Sequence, residues 1–247
     1  MKELGLSCGT FNPIHDWHLI VAQCASDQFG LDKVLLIPNG QPPHKKNDVL
    51  DKEWRWEMVV AAAATNAGKF EANRIELDRQ GPSYTLDTLT ALKAQYGEGV
   101  RLNLLIGVDN IEPIPHWYKA DEIFKIVRLL IAPRLAVSME QAREMAKNLP
   151  AHCVWDIIDA PGSALSSTMV RDWIRKGRSV QYLVPCEVNR ILVEKGHYKL
   201  APADANASTT AAAAADAQSA IPAPPPAQTD SPTSAVPAAP AATGSKS

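Results

Sequence analysis

Apolar runs and amphipathic stretches alternate along most of the chain. Residues 4–8 and 33–37 are short, nearly continuous apolar runs, the second ended by Pro38-Asn39-Gly40, and such runs suit strands buried on both faces. Further strands are expected near 70–77, 102–106, 129–132 and 154–158. Helical periodicity predicts helices near 19–29, 52–64, 85–95, 138–148 and 168–176. Strand and helix alternate throughout, with no internal repeat. That order predicts an open, mostly parallel α/β sheet with right-handed crossovers, which binds its ligands at the carboxyl ends of the strands.

The pattern stops near residue 200. Residues 201–247 are rich in Ala, Pro, Ser and Thr and lack any aromatic residue, so they cannot bury enough apolar surface to offset ordering and are expected to be a disordered tail. A membrane anchor there is excluded by composition, because the Ala run at 211–215 is short and is followed by Asp216 and Ile221-Pro222-Ala223-Pro224-Pro225-Pro226. The remaining 1–200 region is long enough for one sizeable core.

Charge and cysteine usage narrow the class further. The 25 basic and 27 acidic residues, less Lys246, Asp204, Asp216 and Asp230 of the tail, leave 24 of each sign in residues 1–200. A balance of zero argues against a nucleic-acid partner, although a local basic patch stays open. Met1-Lys2-Glu3-Leu4-Gly5-Leu6 runs straight into the first strand without the length or cleavage site of a signal peptide, so a cytoplasmic protein is expected. Cys8, Cys24, Cys153 and Cys186 have no close pairing and no metal-ligand spacing, and are read as free thiols.

Five segments that follow expected strands carry candidate chemistry. The first is Cys8-Gly9-Thr10-Phe11-Asn12-Pro13-Ile14-His15-Asp16-Trp17-His18. A glycine turn between strand and helix, with the helix dipole pointing at the turn, is a phosphate site in prospect, and two histidines about one turn apart offer donors to it. Taken singly, each histidine is more simply read as a surface residue beside a tight turn. The second segment, Pro38-Asn39-Gly40-Gln41-Pro42-Pro43-His44-Lys45, is a rigid loop ending in a cation that could reach a phosphate, or a solvated proline-rich turn. In the third, Asp78-Arg79-Gln80-Gly81-Pro82-Ser83-Tyr84-Thr85, either Ser83 or Thr85 is available to cap a helix. The fourth holds Asp109, suited to a ribose hydroxyl, and the adjacent aromatics Trp117 and Tyr118, which can face a flat ring or anchor the core. Arg134 follows the strand near 129–132. In the fifth, Ser166-Ser167-Thr168-Met169-Val170-Arg171, hydroxyls at a helix start can meet an anion with Arg171 one turn later, which is also a common capping pattern.

The first segment resembles the Gly-Thr-Phe-Asp-Pro-x-His-x-Gly-His loop of the nucleotidyltransferase superfamily. The later segments are similar to the Pro-Pro-His-[Lys/Arg], Pro-Ser-Tyr-Thr, Trp-Tyr and Ile-Ser-[Ser/Ala]-Thr-x-[Ile/Val]-Arg motifs of one branch, the bacterial nicotinate-nucleotide adenylyltransferases. The likeness spans about residues 4–198, with the blocks in the same order. Two positions depart from the bacterial pattern: Asn12 stands where Asp is usual, and Trp17 where the glycine before the second histidine is usual. The eukaryotic nicotinamide-mononucleotide adenylyltransferases are similar at both points, with Gly-Ser-Phe-Asn-Pro and a bulky residue before the second histidine.

The resemblance implies a Rossmann-like open sheet with helices on both faces, and adenylyl transfer from ATP to nicotinate mononucleotide. It implies that Gly9, Thr10, Phe11, His15, His18, Ser166, Thr168 and Arg171 meet ATP, with His18 the main transition-state donor and Arg171 holding the departing pyrophosphate. On the mononucleotide side it implies Asn39, Lys45, Asp109, Tyr118 and Arg134, with backbone groups at Tyr84 and Thr85 on the pyridine carboxylate and Trp117 stacked on the ring. Mg²⁺ is implied as a cofactor bound mainly through ATP phosphates and water, with no protein metal ligands. No membrane partner is expected.

Overall fold

The computed structural model describes residues 2–41 and 49–199. Lys45 and the expected tail lie outside the described residues.

Six strands form one sheet: β1 (Lys2–Gly9), β2 (Lys33–Pro38), β3 (Phe70–Ala72), β4 (Val100–Gly107), β5 (Val127–Ala132) and β6 (Trp155–Ile157). Their order is β3-β2-β1-β4-β5-β6, and every neighbouring pair is parallel. The chain therefore builds outward from β1 to β3, returns to the centre, and builds outward again from β4 to β6. Between β1 and β4 the winding reverses, and this is the crevice where open α/β sheets bind ligands.

The alternation of side chains along these strands divides the core in two. Leu4, Leu6, Leu102, Leu104, Ile106, Leu129 and Ile131 pack on one face with Leu89, Leu92, Ile123, Phe124 and Ala142, which come from α3 (Thr85–Tyr96), α4 (Ala120–Ile126) and α5 (Met139–Ala146). Val34, Leu36, Leu105, Leu130 and Ala132 pack on the other with residues of α1 (Asp16–Phe29), α2 (Lys52–Ala64), α6 (Ser167–Arg175) and α7 (Cys186–Lys195). Helices thus cover both faces. This is why the strands read as continuous apolar runs rather than as alternating ones.

Three sequence expectations need correction. The third strand stops at Ala72 instead of continuing to 77: the Asn73 N–H makes a last bond to β2, on the Leu36 carbonyl at 3.0 Å, and the chain then turns, with Leu77 N–H donating to Arg74 O at 2.8 Å. The first helix starts at Asp16, earlier than 19, so both histidines stand at its entry. Neither Ser83 nor Thr85 caps α3; the cap is Tyr84, with no side-chain bond, and the Ser83 hydroxyl oxygen instead accepts the N–H groups of Gly40 and Gln41 at 3.0 and 3.3 Å. All four cysteines are free thiols, as read from their spacing.

Candidate active site

In the loop that leaves β1 at Gly9, the left-handed backbone falls two residues later. Gly9 keeps an ordinary φ, whereas Phe11 has φ 46°, in the left-handed region that costs a side-chain-bearing residue, and Asn12–Pro13 is a cis peptide bond. The turned Phe11 ring lies against Gly9, where an added Cβ would meet it at 3.3 Å. It also stands edge-on to the His18 imidazole with ring centres 5.0 Å apart. Glycine at position 9 thus leaves room for Phe11, and Phe11 in turn borders His18.

His15 and His18 are stacked, ring centres 3.7 Å apart. The His15 backbone N–H donates to His18 Nδ1 at 3.1 Å, which leaves Nε2 as the protonated nitrogen of neutral His18. His15 is buried, its Nδ1 has no hydrogen-bond partner, and its pKa is lowered to about 2 by burial first and then by the neighbouring His18 and Arg134 charges. Other N–H groups at the entry of α1 are already engaged: Asp16 donates to Leu183 O at 3.0 Å and His18 to His15 O at 3.0 Å.

These groups open onto a cleft of about 350 Å³, a volume suited to a nucleotide-sized ligand. Its lining brings together Thr10, Phe11, His15 and His18 with Asp109 and Trp117 from beyond β4, Arg134 from beyond β5, and Ser166, Thr168 and Arg171 from α6. Arg171 Nη1 donates to the Asn12 carbonyl at 2.8 Å, and Ser167 Oγ to the Pro13 carbonyl at 2.9 Å, so the start of α6 is fastened to the loop. Ser166 is the N-cap of α6, its Oγ accepting from Met169 N–H at 3.2 Å; Thr168 is an exposed residue in the same turn. Arg134 Nε lies 3.5 Å from Asp109 Oδ1, which links the two walls beyond β4 and β5.

Asn39, Tyr84, Thr85 and Tyr118 lie outside the lining of this cleft and form a group beside it. Asn39 N–H donates to Gly9 O at 2.8 Å, and its side chain donates to Glu76 Oε2 at 2.8 Å. The Tyr84 and Tyr118 rings meet with centres 4.7 Å apart, next to Trp117. Because no side chain caps α3, the first-turn N–H groups around Thr85 are not consumed by a cap.

Sequence reasoning missed Glu76, Arg55 and Tyr198. Glu76 is buried and also accepts from Thr88 Oγ1 at 2.7 Å; burial raises its pKa against the lowering effect of these donors. It cross-links the loop after β2 to the start of α3, where Gly40 is required because a Cβ there would lie 2.2 Å from the Glu76 carbonyl oxygen. Arg55 is 1% exposed and donates to Thr10 O at 2.8 Å and Leu50 O at 3.0 Å. A signal for it was present: Arg55 occupies the i position of the i, i+3, i+4, i+7 stripe that continues with Met58, Val59 and Ala62.

Residues 6–172 match the cytidylyltransferase-like family. The chain is 37% identical over 201 residues to the probable nicotinate-nucleotide adenylyltransferase of Thermoanaerobacter sp. (strain X514), covering 80% of this chain and 94% of that one. It is 35% identical over 200 residues to the nicotinate-nucleotide adenylyltransferase of Bacillus subtilis (strain 168), covering 81% of this chain and all of the relative. The chain belongs to this enzyme family. The family's fold extends to distant members: a solved nicotinic acid mononucleotide adenylyltransferase of Plasmodium falciparum, complexed with NaAD, superposes with a TM-score of 0.67 at 16% identity, over 80% of this chain and 98% of that one. In this family member Asn12 and Trp17 are both buried, at 5% exposure each, and the cleft stays open beside the indole.

Proposed function

We infer that the protein transfers the adenylyl group of ATP to the 5′-phosphate of nicotinate mononucleotide, giving nicotinate adenine dinucleotide and pyrophosphate in NAD biosynthesis. The observation that carries this reading is the convergence of His15, His18, Arg134 and Arg171 with Trp117 in one cleft at the reversal point of the sheet.

A phosphate oxygen of the mononucleotide attacks the α-phosphorus of ATP as the bond to the β-phosphate oxygen breaks. The substrate supplies its own nucleophile, so the protein's work is to bring two anions into line and to stabilise charge on the phosphoryl oxygens. The Nε2–H of His18 donates to the α-phosphate as charge develops, and His15, kept neutral by burial, backs it. Arg171 with Ser166 and Thr168 holds the leaving pyrophosphate. Asp109 takes a ribose hydroxyl, Trp117 stacks on the pyridine ring, and the open N-terminus of α3 at Tyr84 and Thr85 takes the carboxylate. Lys45 is assigned to the mononucleotide phosphate on the resemblance alone.

Mg²⁺ would be held mainly by ATP phosphate oxygens and water, and would supply neutralisation of the phosphate charge. The donor set suits a phosphate-borne ion: Asp109, the carboxylate among the described lining residues, is turned toward Arg134. We assign the reaction to the cytoplasm, with no nucleic-acid or membrane partner; among the described residues no helix is long and apolar enough to cross a membrane.

The test is pyrophosphate release by the purified protein with ATP and Mg²⁺, comparing nicotinate mononucleotide with nicotinamide mononucleotide. Faster release with the acid is expected. Preference for the amide would overturn the carboxylate pocket at α3 while keeping the chemistry, and no release with either would overturn the enzyme reading.

A further inference from the structure

We propose that Tyr198 is a positioning residue for this site, its hydroxyl acting through Asn12 to hold the phosphate-binding loop in register with Arg171. The proposal rests on the adenylyltransferase reading above and deepens it.

Asn12 is the point where three distant segments meet. Tyr198 Oη donates to Asn12 Oδ1 at 2.7 Å, and the same oxygen accepts the Leu50 N–H at 3.0 Å. The Asn12 carbonyl accepts Arg171 Nη1 at 2.8 Å. Leu50 is itself tied back to the loop, because Arg55 donates to both Leu50 O and Thr10 O. Asn12 is almost fully buried, so these bonds are made with little competing water, where each counts for more than at the surface.

The backbone carries a matching sign of constraint. Phe11 and Tyr198, which both adjoin Asn12 in space or sequence, have φ of 46° and 62°. Residues with side chains stay in that region where their surroundings over-determine them. The loop is therefore held by Tyr198, Leu50 and Arg55, none of which lines the cleft, while His15 and His18 do line it. Loss of one such hold displaces transition-state donors without removing any group that touches substrate. Small misplacements of that kind lower turnover more than binding.

Tyr198→Phe keeps the ring and deletes the donor. It is expected to lower kcat about three- to tenfold, the size of one hydrogen bond, with KM for ATP and for the mononucleotide changed less than about twofold and little change in Tm. If the effect runs through Asn12, the double variant with Asn12→Ala is no slower than Asn12→Ala alone. Asn12→Asp, which retains the acceptor, is the second background, and there Tyr198→Phe is expected to cost at least as much as in the unmodified protein. Wild-type kcat in Tyr198→Phe, or a loss that multiplies independently of residue 12, would overturn the proposal. An unmodified protein that releases no pyrophosphate would sink the reaction reading instead. The positioning claim is then read from the imidazole ¹⁵N shifts of His18, which Tyr198→Phe is expected to move; unchanged shifts would overturn it.

Discussion

The side chain of His18 is held by the backbone of the histidine three residues before it: its Nδ1 accepts the His15 N–H at 3.1 Å while the two rings stack at 3.7 Å. One bond thereby does two things. It closes the entry of α1, and it fixes the tautomer that points an N–H outward from Nε2.

His18→Asn separates these roles. An asparagine oxygen at the helix entry can still accept the His15 N–H, but nothing replaces the Nε2 donor. The variant is expected to keep its thermal stability and to lose at least about two orders of magnitude in kcat, the usual cost of one transition-state donor. Pyrophosphate release and a thermal melt on the same preparation check both halves. A melt that collapses along with activity would mean that His18 is chiefly a helix cap.

His15 makes a pH prediction with a definite sign. Its folded pKa of about 2 lies below the ordinary value near 6.5, through burial first. Above about pH 6.5 the imidazole is neutral in both folded and unfolded chains, and the full contribution is present. As pH falls below that value the unfolded chain takes up a proton that the folded protein refuses, so stability is lost, at up to roughly 1.4 kcal/mol per pH unit for one group. Glu76 works in the opposite direction, since its raised pKa favours the folded state as pH drops. The measurement is therefore a difference: Tm of the protein minus Tm of His15→Asn, followed from pH 7.5 to 5 (the range is roughly that over which histidine titrates). The difference is expected to shrink as the solution becomes more acid. A flat difference would mean that His15 gains a proton in the folded state as easily as in the unfolded chain.

The legible part of the molecule is the part written in local sequence. Runs such as 33–37 and 102–106 announced strands, and the segments after such strands supplied Thr10, His15, His18, Asp109, Trp117, Arg134 and Arg171 to one cleft. What stayed hidden depends on pairs far apart in the chain. Arg55 to Thr10, Asn39 to Glu76 and Tyr198 to Asn12 span 45, 37 and 186 residues, and no periodicity reports such contacts. Ser83 illustrates the limit from the other side. Its place before a helix made it a natural cap, but the fold brought Gly40 and Gln41 N–H groups within reach of the same hydroxyl. The helix Ala120–Ile126 was missed because seven residues show barely two turns of pattern.

Trp17 stands where a glycine is usual, and the structure gives it a part in the core. Its side chain is 5% exposed and belongs to the apolar cluster that includes Phe11, Ile14, Val21 and Val170, while one edge borders the cleft. Residue 17 thus shares one apolar cluster with residues of α1, of α6 and of the loop after β1. Restoring glycine would remove the indole from this packing and place a flexible residue in the first turn of a helix. A large-to-small change of this kind costs about 3–5 kcal/mol. For a domain of this size that corresponds to a fall in Tm of roughly 6–20 °C. Trp17→Phe, which keeps most of the apolar contact, is expected to lose less than half as much. Thermal unfolding of the two variants, with pyrophosphate release at a temperature where both are folded, checks the assignment. A Trp17→Gly protein with unchanged Tm and faster turnover would show the opposite relation, in which the indole obstructs the cleft instead of building its wall.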